Sequence, residues 1–255
     1  MEMNQRARII PVLTIDQQKL VKTVKFKNPN YIGDPINAIK IFNDKMVDEI
    51  VVLDITASAS GRVPNEKLIY EMAGECFSPL GYGGGISTFD QAAKIFSLGV
   101  EKIILNSIVN TKPQLITEIA NAFGSQSVVV SVDIKKKFLS GVRPHFTSGK
   151  TAGTESIVEF AKRIESLGAG EILVHDIERD GTFSGYNRVL IKEIAEAVSV
   201  PVVACGGAAS HSEMFDIISE TGASAAAAGS IFVYKGQNTN SILISYPTPD
   251  DIVQH

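Results

Sequence analysis

The 255-residue chain carries 24 lysine and arginine residues against 28 aspartate and glutamate residues, which gives a formal net charge of −4 at pH 7. Hydrophobic residues make up 44% and charged residues 20%, the composition of a globular protein with a substantial core. A slightly acidic chain without a basic run argues against nucleic acid or an anionic membrane as the main partner, and no stretch approaches the roughly 20 apolar residues of a membrane span.

Eight apolar, β-rich runs alternate with helix-like segments along the chain. The runs predict strands at residues 8–15, 49–56, 79–85, 102–107, 128–134, 171–177, 200–207 and 223–232. Most are nearly continuous valine, isoleucine, leucine and alanine, as is typical of parallel strands that are covered by helices. An apolar spacing of about 3.6 residues predicts helices at residues 88–98, 112–123, 155–167, 188–197 and 212–221.

This alternation of strands and helices favours one α/β domain over residues 1–255, folded as a (β/α)8 TIM barrel. An open doubly wound sheet is the alternative, but eight parallel strands close more readily into a barrel. Residues 16–30 and 135–153 are predicted to be long polar loops. Residues 235–255 form an atypical C-terminal segment without a clear closing helix.

The cysteine content and the N-terminal sequence favour a reduced, cytoplasmic protein. Cys76 and Cys205 form no close-spaced pair, so neither a disulfide framework nor a zinc site is expected. The N-terminus lacks the apolar core of a signal peptide. The sequence shows no metal-ligand cluster of histidine, cysteine and carboxylate residues, and nothing in it requires a cofactor.

The second half of the chain repeats the first at the ends of the predicted strands. At separations of 119 to 123 residues, the paired positions are Thr14 with Asp133, Asp54 with Asp176, Gly84-Gly85 with Gly206-Gly207, and Asn106-Ser107 with Gly229-Ser230. An internal repeat of this length predicts two similar half-barrels. The matches fall at the carboxyl ends of strands, where barrel enzymes carry their chemistry.

Glycine-rich strand ends predict two phosphate sites, because glycine lets backbone N–H groups approach an anion closely. The loops after the last two strands of a barrel commonly use this device. We name two groups of residues, the first cradle (Gly84, Gly85, Asn106 and Ser107) and the second cradle (Gly206, Gly207, Gly229 and Ser230). Two cradles at one barrel mouth indicate an elongated ligand with a phosphate at each end, and the alternative is that these glycines only make turns.

Carboxylates at the strand ends are candidates for acid–base chemistry. Asp133 ends a very apolar strand, and a carboxylate at that position is either a general acid or base or a structural partner. Asp54, Asp176 and Asp180 lie nearby in the predicted layout. His175 is adjacent to Asp176 and is a candidate for an acid–base pair with it, although a lone histidine is more often structural.

Charged residues at the starts of four predicted strands form a second group at the opposite end of the barrel. They are Arg8, Glu49, Lys102 and Glu171, two positive and two negative. Such a set can pair into a neutral, structural ring of salt bridges. The same pattern is compatible with a charged gate at an opening through the barrel floor.

Seven motifs along the chain are highly specific when taken as a set. They are Arg8-Ile-Ile-Pro-Val-Leu, Gly33-Asp-Pro, Glu49-Ile-Val-Val-Leu-Asp-Ile-Thr-Ala-Ser, Tyr82-Gly-Gly-Gly-Ile, Phe123-Gly-Ser-Gln-Ser-Val-Val-Val-Ser-Val-Asp, Gly168-Ala-Gly-Glu-Ile-Leu and Asp180-Gly-Thr-Phe-Ser-Gly-Tyr. From about residue 8 to residue 232 the sequence resembles the HisF family, the cyclase subunit of imidazole glycerol phosphate synthase. The resemblance implies a barrel of two half-barrels and a bisphosphorylated ribosyl-aminoimidazole substrate.

The resemblance also implies a partner and a set of roles. A HisH-like glutaminase would dock on the barrel floor, and its ammonia would cross the barrel to the active site. The family's charged gate corresponds to Arg8, Glu49, Lys102 and Glu171. The second catalytic aspartate of the family corresponds to Asp133, and the lysine of its first loop corresponds to Lys22.

One departure from the family pattern affects its chemistry directly. The family has a catalytic aspartate where this chain has Thr14, at the end of the run Pro-Val-Leu-Thr. A threonine hydroxyl does not titrate near pH 7 and cannot replace a carboxylic acid or base. Asp16 lies two residues further on, where a strand presents the same face, so a partial replacement is conceivable.

Three further departures accompany it: Cys205 replaces the usual serine, His175-Asp176 replaces a Thr-Ser pair, and residues 235–249 do not follow the closing helix. A kept gate with a broken acid–base pair resembles the HisF-like paralogues of surface-polysaccharide and sialic-acid-like sugar pathways. In those pathways a glutaminase and a HisF-like barrel supply ammonia that converts an acetamido sugar to an acetamidino sugar. The sequence thus leaves three hypotheses, this paralogue, the histidine-pathway cyclase, and a non-catalytic scaffold that activates a glutaminase.

Overall fold

The computed structural model describes residues 7–137 and 141–247. Its strands are β1 (Arg8–Asp16), β2 (Lys19–Val24), β3 (Lys27–Gly33), β4 (Ile50–Asp54), β5 (Leu80–Gly83), β6 (Lys102–Leu105), β7 (Val128–Lys137), β8 (Gly141–Phe146), β9 (Thr151–Ala152), β10 (Glu171–Asp176), β11 (Val202–Cys205), β12 (Ala225–Ala228), β13 (Tyr234–Lys235) and β14 (Asn238–Ile242). Its α-helices are α1 (Pro35–Asp44), α2 (Glu66–Glu75), α3 (Phe89–Ser97), α4 (Gln114–Phe123), α5 (Ile157–Ser166), α6 (Arg188–Ala197), α7 (His211–Thr221) and α8 (Ser230–Val233).

Eight parallel strands close into a barrel. In order around the barrel they are β1, β4, β5, β6, β7, β10, β11 and β12, and β12 pairs back onto β1. Each of the eight coincides with a predicted strand, and α3 to α7 coincide with the five predicted helices. The predicted (β/α)8 TIM barrel is therefore confirmed. None of the helices in the described ranges is long and apolar enough to span a membrane.

Two interior layers explain why the strand signal was strong. Between the strands and the helices lies the main core, which includes Phe42, Tyr82 and Phe160. A smaller cluster fills the inside of the barrel between its floor and its mouth, and it contains Ile10, Val12, Val51, Ile104, Val129, Leu173, Val203, Cys205, Ala225 and Ala227. Because the strands are covered on both faces, both alternating sets of side chains are apolar.

The two half-barrels have the same backbone arrangement where their strands end. Gly84 has a φ of +113° and Gly206 a φ of +93°. A Cβ atom at Gly84 would collide with the backbone of Asp54, and one at Gly206 would collide with the backbone of Asp176. Each aspartate carboxylate accepts the N–H of the residue two positions on, at 3.1 Å and 3.0 Å. The repeat seen in the sequence is thus a repeat of local geometry.

The expected long polar loops are largely strands. In place of the predicted loop 16–30, β1 runs into the hairpin β2–β3, and in place of the loop 135–153, β7 pairs with β8 and β8 with β9. These strands extend beyond the barrel mouth, and β3 is exposed at its first five positions. The strand β2 is buried at residues 20–23, but two of these are Lys22 and Thr23. Neither β2 nor the exposed β3 therefore forms the apolar run that predicts a strand.

The C-terminal end of the chain differs from the predicted strand 223–232. The strand β12 ends at Ala228, and the chain turns at Gly229 into the short helix α8. The hairpin β13–β14 follows, and within residues 235–247 the chain forms no helix. Leu243 and Ser245 donate backbone hydrogen bonds to carbonyl groups of α8, at 2.9 Å and 3.0 Å.

Candidate active site

A cavity of about 310 Å³ opens at the barrel mouth. Its walls include residues from both half-barrels that the sequence had singled out, namely Thr14, Asp54, Gly84, Gly85, Asn106, Ser107, Asp133, His175 and Asp180. The parallel register explains their convergence, because the carboxyl ends of all eight strands meet at this end of the barrel. The fold thus brings together one cradle and the candidate acid–base groups.

Asp133 is a buried carboxylate in this cavity whose pKa lies well above its usual value. Its residue is only 6% exposed. Burial raises the pKa of Asp133 to about 7, against the attraction of His175 and with the repulsion of Asp180 adding to the rise. Side-chain hydrogen bonds from Asn106 and Ser131 favour the charged form. A group that exchanges a proton near neutral pH is suited to general acid–base chemistry.

His175 pairs with Asp180, and the proposed pair with Asp176 is wrong. The His175 Nε2 atom lies 3.1 Å from Asp180 Oδ1, and Phe26 packs edge-on against the imidazole with ring centroids 4.8 Å apart. Burial opposes the charged imidazole, but interactions with Cys205 and Asp180 raise the pKa of His175 well above its usual value. Adjacent strand residues point to opposite faces, which keeps Asp176 away from this histidine.

Asp54 and Asp176 are engaged in structural contacts at their own strand ends. Asp54 accepts hydrogen bonds from the backbone N–H of Thr56 and pairs with the Arg62 guanidinium at 3.2 Å. Asp176 Oδ2 accepts from the side chain of Asn187 at 3.0 Å. Asp54 borders the cavity, but Asp176 does not. The geometry assigns both side chains to holding the loops that follow their strands.

Thr14 borders the cavity, and its hydroxyl donates a hydrogen bond within the protein. The Thr14 Oγ1 atom donates to the carbonyl oxygen of Val21 in the β2 strand. Asp16, the conceivable replacement for the missing aspartate, instead accepts a hydrogen bond from Thr56 Oγ1 at 2.7 Å. Asp16 is also not among the residues around the cavity. The carboxylates that do line the cavity are Asp54, Asp133 and Asp180.

The first cradle is open to the cavity, and connecting segments partly cover it. The Gly85 N–H donates to Ser58 Oγ at 3.2 Å, and Ser107 Oγ accepts from the Thr147 N–H at 2.9 Å. A bound phosphate would compete with Ser58 Oγ for the Gly85 N–H and with Asn106 Oδ1, 3.1 Å from Ser107 Oγ, for the Ser107 hydroxyl hydrogen.

The second cradle lies outside this cavity. Gly206, Gly207, Gly229 and Ser230 line a separate recess of about 10 Å³, and Asp180 borders both spaces. The sequence predicted two cradles at one open mouth, whereas the structure separates them.

Lys22 occupies the space beside the second cradle. Its Nζ donates to the carbonyl oxygen of Val12, and a Cβ atom at Gly229 would collide with it. Burial lowers the pKa of Lys22 to about 8, against the attraction of Asp180 and Cys205. An anion in the second cradle would meet this ammonium and would raise its pKa again.

Several residues around the cavity were missed by sequence reasoning. They are Thr23 and Phe26 from the first hairpin, Ser58 from the loop after β4, and Ser148 and Lys150 from the turn between β8 and β9. The run Ser148-Gly-Lys-Thr resembled the tail of a phosphate-binding loop only superficially. Its position over the first cradle depends on the path of β8, which the sequence did not reveal.

The four charged residues at the floor form a closed ring, which we call the ion ring. Glu49 Oε2 lies 3.4 Å from Arg8 Nη1 and 2.8 Å from Lys102 Nζ. Glu171 lies 2.7 Å from Lys102 Nζ and also pairs with Arg8. Burial raises the pKa of Glu49, while Lys102 and Arg8 lower it and Glu171 raises it. The predicted pairing of these residues is therefore confirmed.

Across residues 7–137 and 141–247, no group of three or more histidine, cysteine, aspartate and glutamate side chains has an arrangement that would hold a metal ion.

Three relatives align with most of the chain. A Pseudomonas aeruginosa protein with the provisional designation imidazole glycerol phosphate synthase subunit hisF2 is 50% identical, covering 95% of this chain and 96% of the relative. A Vibrio vulnificus protein provisionally designated hisF3 is 43% identical, covering 96% and 95%. The imidazole glycerol phosphate synthase subunit HisF of Chlorobium limicola is 38% identical, covering 89% and 90%.

The sequence profile of the family described as histidine biosynthesis protein matches residues 8–239. That range contains all eight barrel strands, the ion ring and both cradles. The chain therefore belongs to the histidine biosynthesis protein family, as a HisF-like member.

Proposed function

We propose that the chain is the synthase subunit of a glutamine amidotransferase complex that makes an acetamidino sugar for a surface polysaccharide or a nonulosonic acid. In this proposal a HisH-like glutaminase docks on the barrel floor and releases ammonia there. The ammonia crosses the barrel, and a sugar-amidinating partner uses it to convert an acetamido group. The chain acts chiefly as a conduit and docking platform, and its mouth binds a phosphorylated small molecule.

The observation that carries the proposal is an intact ion ring together with an incomplete acid–base pair. At the floor, all four charges of the ring are present and paired. At the mouth, Asp133 has a suitable pKa of about 7, but the second position is Thr14, whose hydroxyl is bonded to a backbone carbonyl. Losing one positioned acid or base costs on the order of 10²–10⁴ in rate, so delivery of ammonia is better supported than cyclisation.

The interior of the barrel favours a neutral nucleophile. Between the ion ring and the cavity, the inward side chains are those of the apolar cluster around Val12, Val51, Ile104 and Leu173. Transfer of an ion into such an environment is strongly unfavourable unless it is paired. In this proposal neutral ammonia crosses the apolar interior of the barrel, whereas ammonium and other hydrated ions are excluded from it.

The similarities support a paralogue. Identity is 50% to the relative designated hisF2 and 43% to the one designated hisF3. It is 38% to the Chlorobium limicola subunit and 39% to that of Alkaliphilus metalliredigens, which are both designated HisF without a number. Two Leptospira proteins, provisionally designated HisF without a number, are 47% and 44% identical. The higher identities therefore belong to the relatives with provisional designations, whether numbered or not.

Transfer of labelled nitrogen tests the proposal. The chain, the glutaminase and the sugar-amidinating enzyme of the same organism are mixed with an acetamido sugar, ATP and glutamine labelled with ¹⁵N in its amide. The expected product has one oxygen replaced by a labelled nitrogen, detected by mass spectrometry. Omission of the chain is the control and should abolish incorporation from glutamine. Equal incorporation without the chain would refute the proposed conduit.

The histidine-pathway cyclase is the second candidate function, and the pKa of Asp133 and the position of Lys22 favour it. It would combine ammonia with a bisphosphorylated aminoimidazole ribonucleotide to give imidazole glycerol phosphate and an aminoimidazole ribotide. The purified chain with excess ammonium salt should leave the absorbance of that substrate unchanged. Turnover at the rate of a HisF cyclase would instead establish the second function. Stimulated glutamine hydrolysis with no transfer to either acceptor would indicate the scaffold.

A further inference from the structure

Tyr246 of the C-terminal segment lies beside the starts of the strands that begin at Arg8 and just after Glu49. The Ser245 backbone N–H donates a hydrogen bond to the carbonyl oxygen of Phe232 in α8, at 3.0 Å. The next residue, Tyr246, packs its ring against Phe232 with centroids 5.7 Å apart and is only 7% exposed. The segment thereby carries one buried hydroxyl from the outside of the barrel to the start of β1.

The Tyr246 hydroxyl joins the starts of two strands. Its oxygen lies 2.9 Å from the carbonyl oxygen of Ile9 and 3.0 Å from Asp48 Oδ2, and its single hydrogen is shared between these acceptors. The Asp48 N–H donates back to the hydroxyl at 3.3 Å. The same Asp48 Oδ2 accepts the Ile9 N–H at 3.0 Å. These contacts form a closed network between Ile9 and Asp48.

The network lies below the hydrogen-bonded part of this strand pair. The register of β1 with β4 begins at Val12 and Val51. Ile9 and Asp48 precede those positions, and Ile9 is paired on its other side with Ala226 of β12. Between Ile9 and Asp48 themselves, the contacts are those of the Tyr246 hydroxyl and the Asp48 carboxylate. Ile9 directly follows Arg8 and Asp48 directly precedes Glu49.

The contact between Arg8 and Glu49 is the part of the ion ring that most needs such support. Its distance is 3.4 Å, against 2.8 Å between Lys102 and Glu49. The Arg8 side chain is 30% exposed and that of Lys102 is 15% exposed. An ion pair that is longer and more exposed to solvent contributes less to the free energy of unfolding. Its geometry therefore depends more on how the backbone is held.

We propose that Tyr246 is a positioning residue of the ion ring, which sets the distance between Arg8 and Glu49 by tying Ile9 to Asp48. The consequence for ammonia rests on the proposed function: the C-terminal segment then controls how tightly the floor closes. The lost hydrogen bond of a Tyr246→Phe variant corresponds to about fivefold in the equilibrium between the closed and the open ring.

Titration of Glu49 tests the positioning role without any substrate. The carboxyl carbon of Glu49 is followed by ¹³C NMR in the full chain for wild type and Tyr246→Phe. We expect a higher midpoint in the variant, because Arg8 lowers the pKa of Glu49 and moves away, while Lys102 and Glu171 remain. An unchanged midpoint overturns the proposal.

Two controls separate positioning from general weakening. Tyr70→Phe removes a hydroxyl from a residue that is 64% exposed on α2, and it should leave the Glu49 midpoint unchanged. Ser245→Ala removes the 3.3 Å bond to the carbonyl oxygen of Ile231 and keeps the Tyr246 hydroxyl. It lowers the attachment of the segment without breaking the network. A midpoint shift in either control equal to that of Tyr246→Phe would overturn the proposal.

Isotope competition in the complex tests the consequence. With ¹⁵N-amide glutamine and unlabelled ammonium chloride together, Tyr246→Phe should lower the labelled fraction of the amidinated sugar, since ammonia leaks at the floor. Amidination driven by ammonium chloride alone should keep its wild-type rate. An unchanged labelled fraction beside normal wild-type incorporation overturns the control of ammonia. If the wild type incorporates no label, the proposed function fails, and the Glu49 titration alone decides the role of Tyr246.

Discussion

The Asp133 side chain makes stability depend on pH in a direction opposite to that of most carboxylates. Burial raises the pKa of Asp133 from 3.8 to about 7. The folded chain therefore holds this proton more tightly than the unfolded chain, and the stabilisation is complete below pH 4 and lost as the pH rises through about 7. We predict that Asp133→Asn gains stability relative to wild type by on the order of 1.4 kcal/mol per pH unit over that interval.

Urea unfolding at a series of pH values between 4 and 8 measures this difference. Asp90→Asn is the matched control, since Asp90 is an exposed carboxylate in the first turn of α3. Its stability should follow that of wild type at every pH. Parallel curves for Asp133→Asn and wild type would show that Asp133 does not titrate in this range.

Thr14 gives the second prediction at the scale of single residues. Its hydroxyl donates to the carbonyl oxygen of Val21, and an ionised carboxylate has no hydrogen to donate there. We expect Thr14→Asp to lower the free energy of unfolding by about 1–3 kcal/mol and not to give full cyclase activity. Thr14→Ser keeps the donor and serves as the control. Turnover of the bisphosphorylated aminoimidazole substrate at a HisF rate by Thr14→Asp would contradict this expectation.

The residues of the site were predictable where a strand end fixes them. Asp133 and His175 occupy adjacent positions in the register of β7 with β10, so the strand pattern alone brings them together. Phe26, Ser58 and Lys150 border the same cavity but come from connecting segments. Their places depend on tertiary contacts of those segments, which leave no periodic signal in the sequence.

At the scale of elements, the tight turn after β5 affects both the stability of the fold and the predicted phosphate site at the first cradle. Gly84 has a φ of +113°, and a Cβ atom there would collide with the backbone of Asp54. Gly222 ends α7 with a φ of +75° and has open space around it. We predict that Gly222→Ala costs about 1 kcal/mol, and that Gly84→Ala costs more because the backbone must also move.

The two glycine variants also separate anion binding from backbone strain. Gly84→Ala should weaken binding of inorganic phosphate at the first cradle, whereas Gly222→Ala should leave it unchanged. Unfolding in urea gives the stability, and isothermal titration with phosphate gives the affinity. Equal phosphate affinity in both variants would show that this turn does not hold the anion.

The same scale shows why the barrel was predictable and its two hairpins were not. The strand β12 is buried at all four positions and is a continuous run of alanine, whereas β3 is exposed at its first five. Apolar runs report burial, and the hairpins are held by backbone pairing to a neighbouring strand. The turn into α8 after Ala228 was missed because apolar residues resume at Ile231 after only Gly229 and Ser230.

At the scale of the whole molecule, the barrel joins two half-barrels that differ in charge at the floor and in chemistry at the mouth. Arg8, Glu49 and Lys102 come from the first half and Glu171 from the second, so the ion ring closes only when the halves meet. Removal of one cation would leave the buried Glu49 and Glu171 with Arg8 alone. Association of the two half-barrels therefore completes the ion pairs at the floor of the barrel.

We predict that Lys102→Met lowers the free energy of unfolding by about 3–5 kcal/mol, the cost of breaking a buried ion pair from one side. Lys102 lowers the pKa of Glu49, which burial already raises, so the variant raises it further. A raised folded-state pKa gives stability that is lost as the pH increases. Unfolding in urea should show a larger deficit at pH 8 than at pH 5.

A rescue variant makes the origin of this loss testable. Adding Glu49→Gln to Lys102→Met removes the uncompensated carboxylate, so the double variant should recover stability at pH 8 and lose the steep pH dependence. Lys67→Met removes a lysine whose side chain is 85% exposed and 3.7 Å from Glu71, and an exposed pair of that kind contributes little. A double variant no more stable than Lys102→Met would show that lost packing, and not an unpaired buried charge, sets the cost of opening the ring.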